Sequence, residues 1–152
     1  MTVNIQEHFA LDYQLTAPND ASAPKVAREL LAAILATADR AGMVDAAQVC
    51  VSDVVTNVLR HTRVAVLAVE VSVLRDRVIV GVRDSDPEGR PCVRPPSAER
   101  EGGRGLLLVR TLAHRWGVTW TGGVTPTGKR VWFELREGCA GGCTHSAGVP
   151  GW

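Results

Sequence analysis

Residues 51–61, VSDVVTNVLRH, carry the most information about the fold. Asp53 and Asn57 stand four residues apart within an apolar repeat, so on a helix they share one face. A carboxylate and a carboxamide aimed at one point can hold a metal ion and its ligand, and two solvated polar residues would give the same pattern. The repeat predicts a helix packed on a sheet. Its apolar residues are Val51, Val54, Val55, Val58 and Leu59.

Length and composition restrict the class of protein. The 152 residues predict one domain with a sizeable core. A net charge of +1 and an aromatic content of 5% argue against nucleic acid as a direct partner. No apolar run approaches the roughly 20 residues that span a bilayer, and no secretory signal precedes the first strand. We therefore expect a cytoplasmic protein with no membrane partner.

The remaining periodicity predicts eight elements in the order β-α-α-β-β-α-β-β. This order indicates an α+β fold, a two-layer sandwich in which a mixed, mostly antiparallel sheet is covered on one face by helices. Residues 1–136 would form the domain, and residues 137–152 a Gly-rich flexible tail. The predicted helices cover residues 23–41, 44–62 and 103–114. The predicted strands cover residues 7–15, 64–74, 77–83, 116–120 and 129–135.

Several side chains have predicted places in these elements. On the first helix, Val26, Leu30, Ile34 and Leu35 should face the core, and Gly42 should end the helix. Cys50 should be a small core residue.

The tail offers an alternative chemistry. Cys139 and Cys143, with His145 nearby, could bind zinc. However, this half-site lacks the partner spacing of a structural zinc site. We favour a tail with incidental thiols.

Two further segments could contact a ligand. Asp84 ends a strand and opens a long loop, where it could accept a hydrogen bond from an exocyclic amine or simply start a turn. Gly103 and Gly105 precede an apolar helix, where glycine lets the backbone approach a ligand and free N–H groups favour an anion. Arg104, between them, could contact a phosphate or face solvent.

The segment of residues 123–129, GVTPTGK, has the G-x4-G-K spacing of a phosphate-binding P-loop. Arg130 stands where a Ser or Thr should hold magnesium, and the segment joins two strands instead of preceding a helix. We therefore interpret it as a hairpin loop.

Three motifs in this order resemble those of histidine-kinase-like ATPases with the Bergerat nucleotide-binding fold. SDVVTNVLRH resembles the N box, RDSDP the G1 box and GGRGLLLV the G2 box. With GKRVWFEL, they look most like the actinobacterial anti-sigma regulatory proteins, which are serine/threonine kinases. The resemblance covers about residues 8–136.

The resemblance implies ATP and Mg²⁺ as cofactors and assigns roles to four side chains. Asn57 would hold Mg²⁺ as its metal ligand. Asp53, at a position that is usually Glu, would be the catalytic residue that acts as general base or orients the attacking group. Arg60 would lie near the phosphates, and Asp84 would read the adenine amino group.

It further implies a phosphate-wrapping turn made by Gly103, Arg104, Gly105 and Leu106, and an ATP lid over residues 87–102. The usual G1 pattern D-x-G-x-G is replaced here by DSDPE, and Gly128-Lys129-Arg130 stands where Gly-x-Thr is usual.

Two functions follow from the resemblance. In the first, the protein binds Mg-ATP, sequesters a sigma factor and phosphorylates a serine on an anti-sigma-factor antagonist. In the second, it is a non-catalytic Bergerat-fold module that regulates transcription by sequestering its partner. The resemblance leaves pairing as a homodimer open.

Overall fold

The computed structural model describes residues 11–87 and 105–138. Within these ranges it contains five strands and three α-helices. The strands are β1 (Leu11–Pro18), β2 (Val66–Val73), β3 (Arg77–Asp84), β4 (Arg115–Thr121) and β5 (Gly128–Arg136). The helices are α1 (Ala23–Thr37), α2 (Val44–His61) and α3 (Gly105–Leu112), with a 3₁₀ turn at Ala41–Met43 before α2.

The five strands form one sheet in the order β1-β2-β3-β5-β4. All four neighbouring pairs are antiparallel. The predicted α+β architecture is therefore confirmed, and among the described strands the sheet is wholly antiparallel instead of mixed. A short turn at Arg75-Asp76 and a longer loop between Thr121 and Gly128 make both hairpins, as the sequence predicts.

The core lies on one face of this sheet. Alternate residues of β3 (Val78, Val80 and Val82) are buried opposite alternate residues of β5. Helix α2 turns its predicted apolar face into the same core, where Cys50 is fully buried, as expected. The buried residues of α2 are Ala47, Cys50, Val51, Val54, Val55 and Val58.

The predicted inner face of α1 is partly wrong. Ile34 and Leu35 are buried, but Leu30 is only half-buried and Val26 is 40% exposed. The buried row also has residues four apart, but it runs through Ala27 instead of Val26, and α1 packs against α2. Helical periodicity alone does not distinguish two adjacent rows that both carry apolar residues. The buried residues of α1 are Ala23, Ala27, Leu31, Ile34 and Leu35.

Two helix ends also differ from the prediction. Helix α1 ends at Thr37 because Asp39 takes a left-handed conformation (φ 60°) and the Arg40 amide bonds to the Leu35 carbonyl. Gly42 instead lies in the 3₁₀ turn. Helix α3 ends at Leu112 because the His114 amide donates to the Glu134 carbonyl, which directs the chain into β4. The strand predicted over residues 7–15 is β1, and residues 7–10 lie outside the described ranges.

Candidate nucleotide site

The end of β3 holds a buried ion pair. Asp84 on β3 lies opposite Lys129 on β5, and strand alternation places both on the helix-covered face. The two residues are 4% and 3% exposed. Lys129 Nζ lies 3.0 Å from Asp84 Oδ1 and also donates to the Asp86 carbonyl at 3.2 Å. Each buried charge is thus neutralised by the other, as burial in an apolar layer requires.

The two carboxylate oxygens of Asp84 differ. The Asp86 amide donates to Oδ1 at 2.8 Å, so Oδ1 has two donors. Oδ2 is buried and has no hydrogen-bond partner among the described residues. An unsatisfied buried acceptor costs about 1–3 kcal/mol, which a donor group on a ligand would recover. The base-reading role that the resemblance implies for Asp84 would use this oxygen.

Gly128 makes this strand end possible. A Cβ at Gly128 would stand 2.3 Å from the Asp84 carbonyl oxygen and 3.2 Å from Ser85 Cα. Any side chain would push β5 away from β3, and so move Lys129 away from Asp84.

Helix α2 carries the second group of predicted site residues. Asp53 and Asn57 are half-buried, on a flank of the helix away from its fully buried stripe. Asp53 Oδ2 is buried without a partner in the described structure. Desolvation raises the pKa of Asp53 from 3.8 to about 6. A carboxylate with that pKa can accept a proton near neutral pH.

Cys50 packs one turn before Asp53. Burial, and secondly the Asp53 charge, raise the pKa of its thiol to about 12. The thiol therefore stays protonated and behaves as a core residue.

A shallow depression of 540 Å³ borders Asp53 on the α1 side. Arg28 Nη1 donates there to Ser52 Oγ at 2.9 Å. Neither Asn57 nor Asp84 lines this depression, so it is not the predicted base-reading pocket. Its lining residues are Arg28, Asp45, Gln48, Val49, Ser52 and Asp53.

The fold brings the predicted elements together, since α2 contacts both β3 and α3. Gly105 begins α3, while Leu106 is 2% exposed and belongs to the core. A contribution of Leu106 to phosphate binding would therefore come from its backbone. Arg60 is exposed in the last turn of α2. Gly103 and Arg104, like residues 88–102 of the predicted lid and the tail cysteines, lie outside the described ranges.

The oxygen-bearing side chains of the site fit a magnesium ion that is held mainly by the phosphates of a bound nucleotide. No cluster of three His, Cys, Asp or Glu side chains that could hold a metal ion occurs within residues 11–87 and 105–138. Mg²⁺ commonly takes one or two protein oxygens and completes its shell with phosphates and water. In that mode Asn57, half-buried on α2, would supply one carboxamide oxygen.

Lys129 is the site residue that the motifs did not single out. Its signal was nevertheless present, because strand alternation places Lys129 on the same face as Val131, Phe133 and Leu135. A lysine in a buried row requires a carboxylate nearby.

No helix of the described residues is long and apolar enough to cross a membrane.

Comparison with known proteins agrees with the fold and motifs. No curated protein matches the chain. A family model, the histidine kinase-like ATPase domain, matches residues 17–135, from the end of β1 through most of β5. Membership of this family suggests ATP binding, commonly with Mg²⁺. The chain belongs to the histidine kinase-like ATPase domain family.

Proposed function

We propose that this protein binds Mg-ATP, sequesters a sigma factor and phosphorylates a serine on an anti-sigma-factor antagonist. The observation that carries nucleotide binding is the buried, unpartnered Oδ2 of Asp84, which offers an acceptor to the adenine amine. The anti-sigma assignment is supported by the resemblance of the three motifs to anti-sigma regulatory proteins.

Each step of phosphoryl transfer has a residue suited to it. Asp84 would bind the base, and Asn57 would bind Mg²⁺, which neutralises the phosphates. Asp53 would take the proton from the serine hydroxyl while the hydroxyl oxygen forms its bond to the γ-phosphorus. The bond from that phosphorus to the bridging oxygen breaks, and ADP leaves. The raised pKa of Asp53, about 6, suits a general base near neutral pH.

Calorimetric titration with Mg-ATP tests nucleotide binding. Asn57→Ala should weaken Mg-ATP binding by at least about tenfold, or about 1.4 kcal/mol. Thr56→Ala is the matched control, because Thr56 is also half-buried on α2 but points elsewhere. Absence of binding to the wild-type protein, or equal binding by Asn57→Ala, would contradict the proposal.

Phosphoryl transfer needs its own assay, with labelled ATP and the candidate antagonist. The rate should rise with pH through about 6, as Asp53 loses its proton, and Asp53→Asn should remove both the rate and this limb. An antagonist that is never labelled, together with an Asp53→Asn variant that changes nothing, would exclude the kinase activity.

The second candidate is the non-catalytic binding module. Two observations favour it: Lys129 and the Asp86 amide already fill one oxygen of Asp84, and DSDPE lacks the usual G1 glycines. This candidate predicts tight sigma-factor binding that is the same with and without Mg-ATP. Nucleotide-dependent sigma-factor binding would exclude it.

A further inference from the structure

The hydrogen-bond donors around Asp84 are distributed unequally. A carboxylate oxygen has two lone pairs. On Oδ1 both are used, one by Lys129 Nζ at 3.0 Å and one by the Asp86 amide at 2.8 Å. Oδ2 is buried and has no partner in the described part of the chain. The carboxylate therefore offers a ligand one oxygen instead of two.

Lys129 cannot easily leave this position. It is 3% exposed, and its ammonium group is held at a second point by the Asp86 carbonyl at 3.2 Å. Gly128, the preceding residue, keeps β5 in close approach to the Asp84 backbone. Withdrawal of Lys129 would leave two unpaired charges in a buried layer, which is strongly unfavourable.

We propose that Lys129 is a positioning residue that makes Asp84 a one-oxygen acceptor and thereby selects adenine over guanine. This inference rests on the nucleotide binding proposed above. It assigns the choice of base to a residue outside the three motifs.

The selectivity follows from the shapes of the two bases. Guanine offers a carboxylate two parallel donors, its ring N1–H and its N2 amine. Both carboxylate oxygens must therefore be free to accept a hydrogen bond. Adenine offers the N6 amine alone. With Oδ1 filled, a guanine would leave one of its two donors without an acceptor, and an unpaired buried polar group is penalised heavily. The N6 amine of adenine needs only Oδ2.

Two substitutions separate positioning from charge neutralisation. Lys129→Arg keeps the positive charge, but the planar guanidinium binds both carboxylate oxygens as a fork. Affinity for Mg-ATP should fall by at least about tenfold in a folded protein. Lys129→Met removes the ammonium donor and frees one lone pair of Oδ1, while the Asp86 amide keeps the other. The ratio of ATP to GTP affinity should then fall by at least about tenfold.

The measurement is calorimetric titration of each full-length variant with Mg-ATP and with Mg-GTP. Arg130→Met is the matched control, because Arg130 is the next residue on β5 but pairs with Glu70 at 2.8 Å on the other face of the sheet. Its ATP-to-GTP ratio should equal that of the wild type. Circular dichroism monitors folding, and if Lys129→Met does not fold, Lys129→Arg carries the test.

Two results would overturn the inference while leaving the proposed function intact. One is Lys129→Arg binding Mg-ATP as tightly as the wild type. The other is a folded Lys129→Met whose ATP-to-GTP ratio is unchanged. Failure of the wild-type protein to bind Mg-ATP is a different result, and it would reject the proposed function together with this inference.

Discussion

Asp84 and Asp53 are the same residue type in two different electrostatic settings. Asp84 is almost fully buried at the end of β3, yet Lys129 lies 3.0 Å away and neutralises it. Asp53 is only half-buried on α2, makes no ion pair with any described residue, and has a pKa raised to about 6. The partner, more than the depth of burial, decides the electrostatic setting, because Lys129 balances the charge of Asp84 whereas no described cation pairs with Asp53.

The largest effect expected from this comparison is on stability. Asp84→Ala removes the partner of a buried lysine and should lower the free energy of unfolding by about 3–5 kcal/mol. Urea denaturation measures it. The control is Asp76→Ala at the other end of the hairpin, where the side chain is 62% exposed. A loss below about 1 kcal/mol, as for an exposed pair, would show that Lys129 does not depend on Asp84.

Substitution of Asp53 should change the free energy of unfolding less than substitution of Asp84. The change should be an increase, and it should depend on pH. Because the pKa of Asp53 is raised, the folded protein binds a proton more tightly than the unfolded chain between pH 3.8 and about 6. Wild-type stability should therefore fall as pH rises through this window, and the loss persists above it.

Asp53→Asn removes this cost. After allowance for solvent screening of a half-exposed group, the variant should be more stable than the wild type by about 1 kcal/mol at pH 8, with little difference at pH 4. Urea denaturation at the two pH values measures the difference. Equal stability differences at both values would mean that Asp53 is not desolvated.

The smallest effect should come from an exposed charge pair. Lys25 and Glu29 lie 3.8 Å apart on α1, with side chains 73% and 69% exposed. Glu29→Gln should change the free energy of unfolding by less than about 0.5 kcal/mol, and less still at high salt. This variant sets the baseline for the buried pair, and a change above about 1 kcal/mol would remove the contrast between them.

Much of the fold could be predicted from local patterns. The period of α2 identified its buried valines, and the strands predicted over residues 77–83 and 129–135 are β3 and β5. The face of α1 was predicted less well, since Val26 was expected in the core and is 40% exposed, whereas Ala27 is 1% exposed. The ends of α1 and α3 depend on the Asp39 backbone and on a hydrogen bond to β5, which no local pattern encodes.

The candidate site, like the fold, was predicted from the sequence only in part. Motif spacing alone selected Asp53, Asn57 and Asp84, and it placed the first two on one helix face. Their roles, like the domain boundary at residue 136 and the homodimer, remain predictions. The pairing of Asp84 with Lys129 joins residues 45 positions apart, and it depends on β5 lying beside β3.

The sequence by itself determined the α+β class, the order of the elements and the family, because periodicity and motif spacing are local properties of the chain. Only the tertiary structure decided which charges meet. The antiparallel register of β3 and β5 buries Lys129 against one oxygen of Asp84, while packing of α2 desolvates Asp53 without pairing it with a cation of the described ranges. Electrostatic environment depends on distance in space, and distance in space is set by packing.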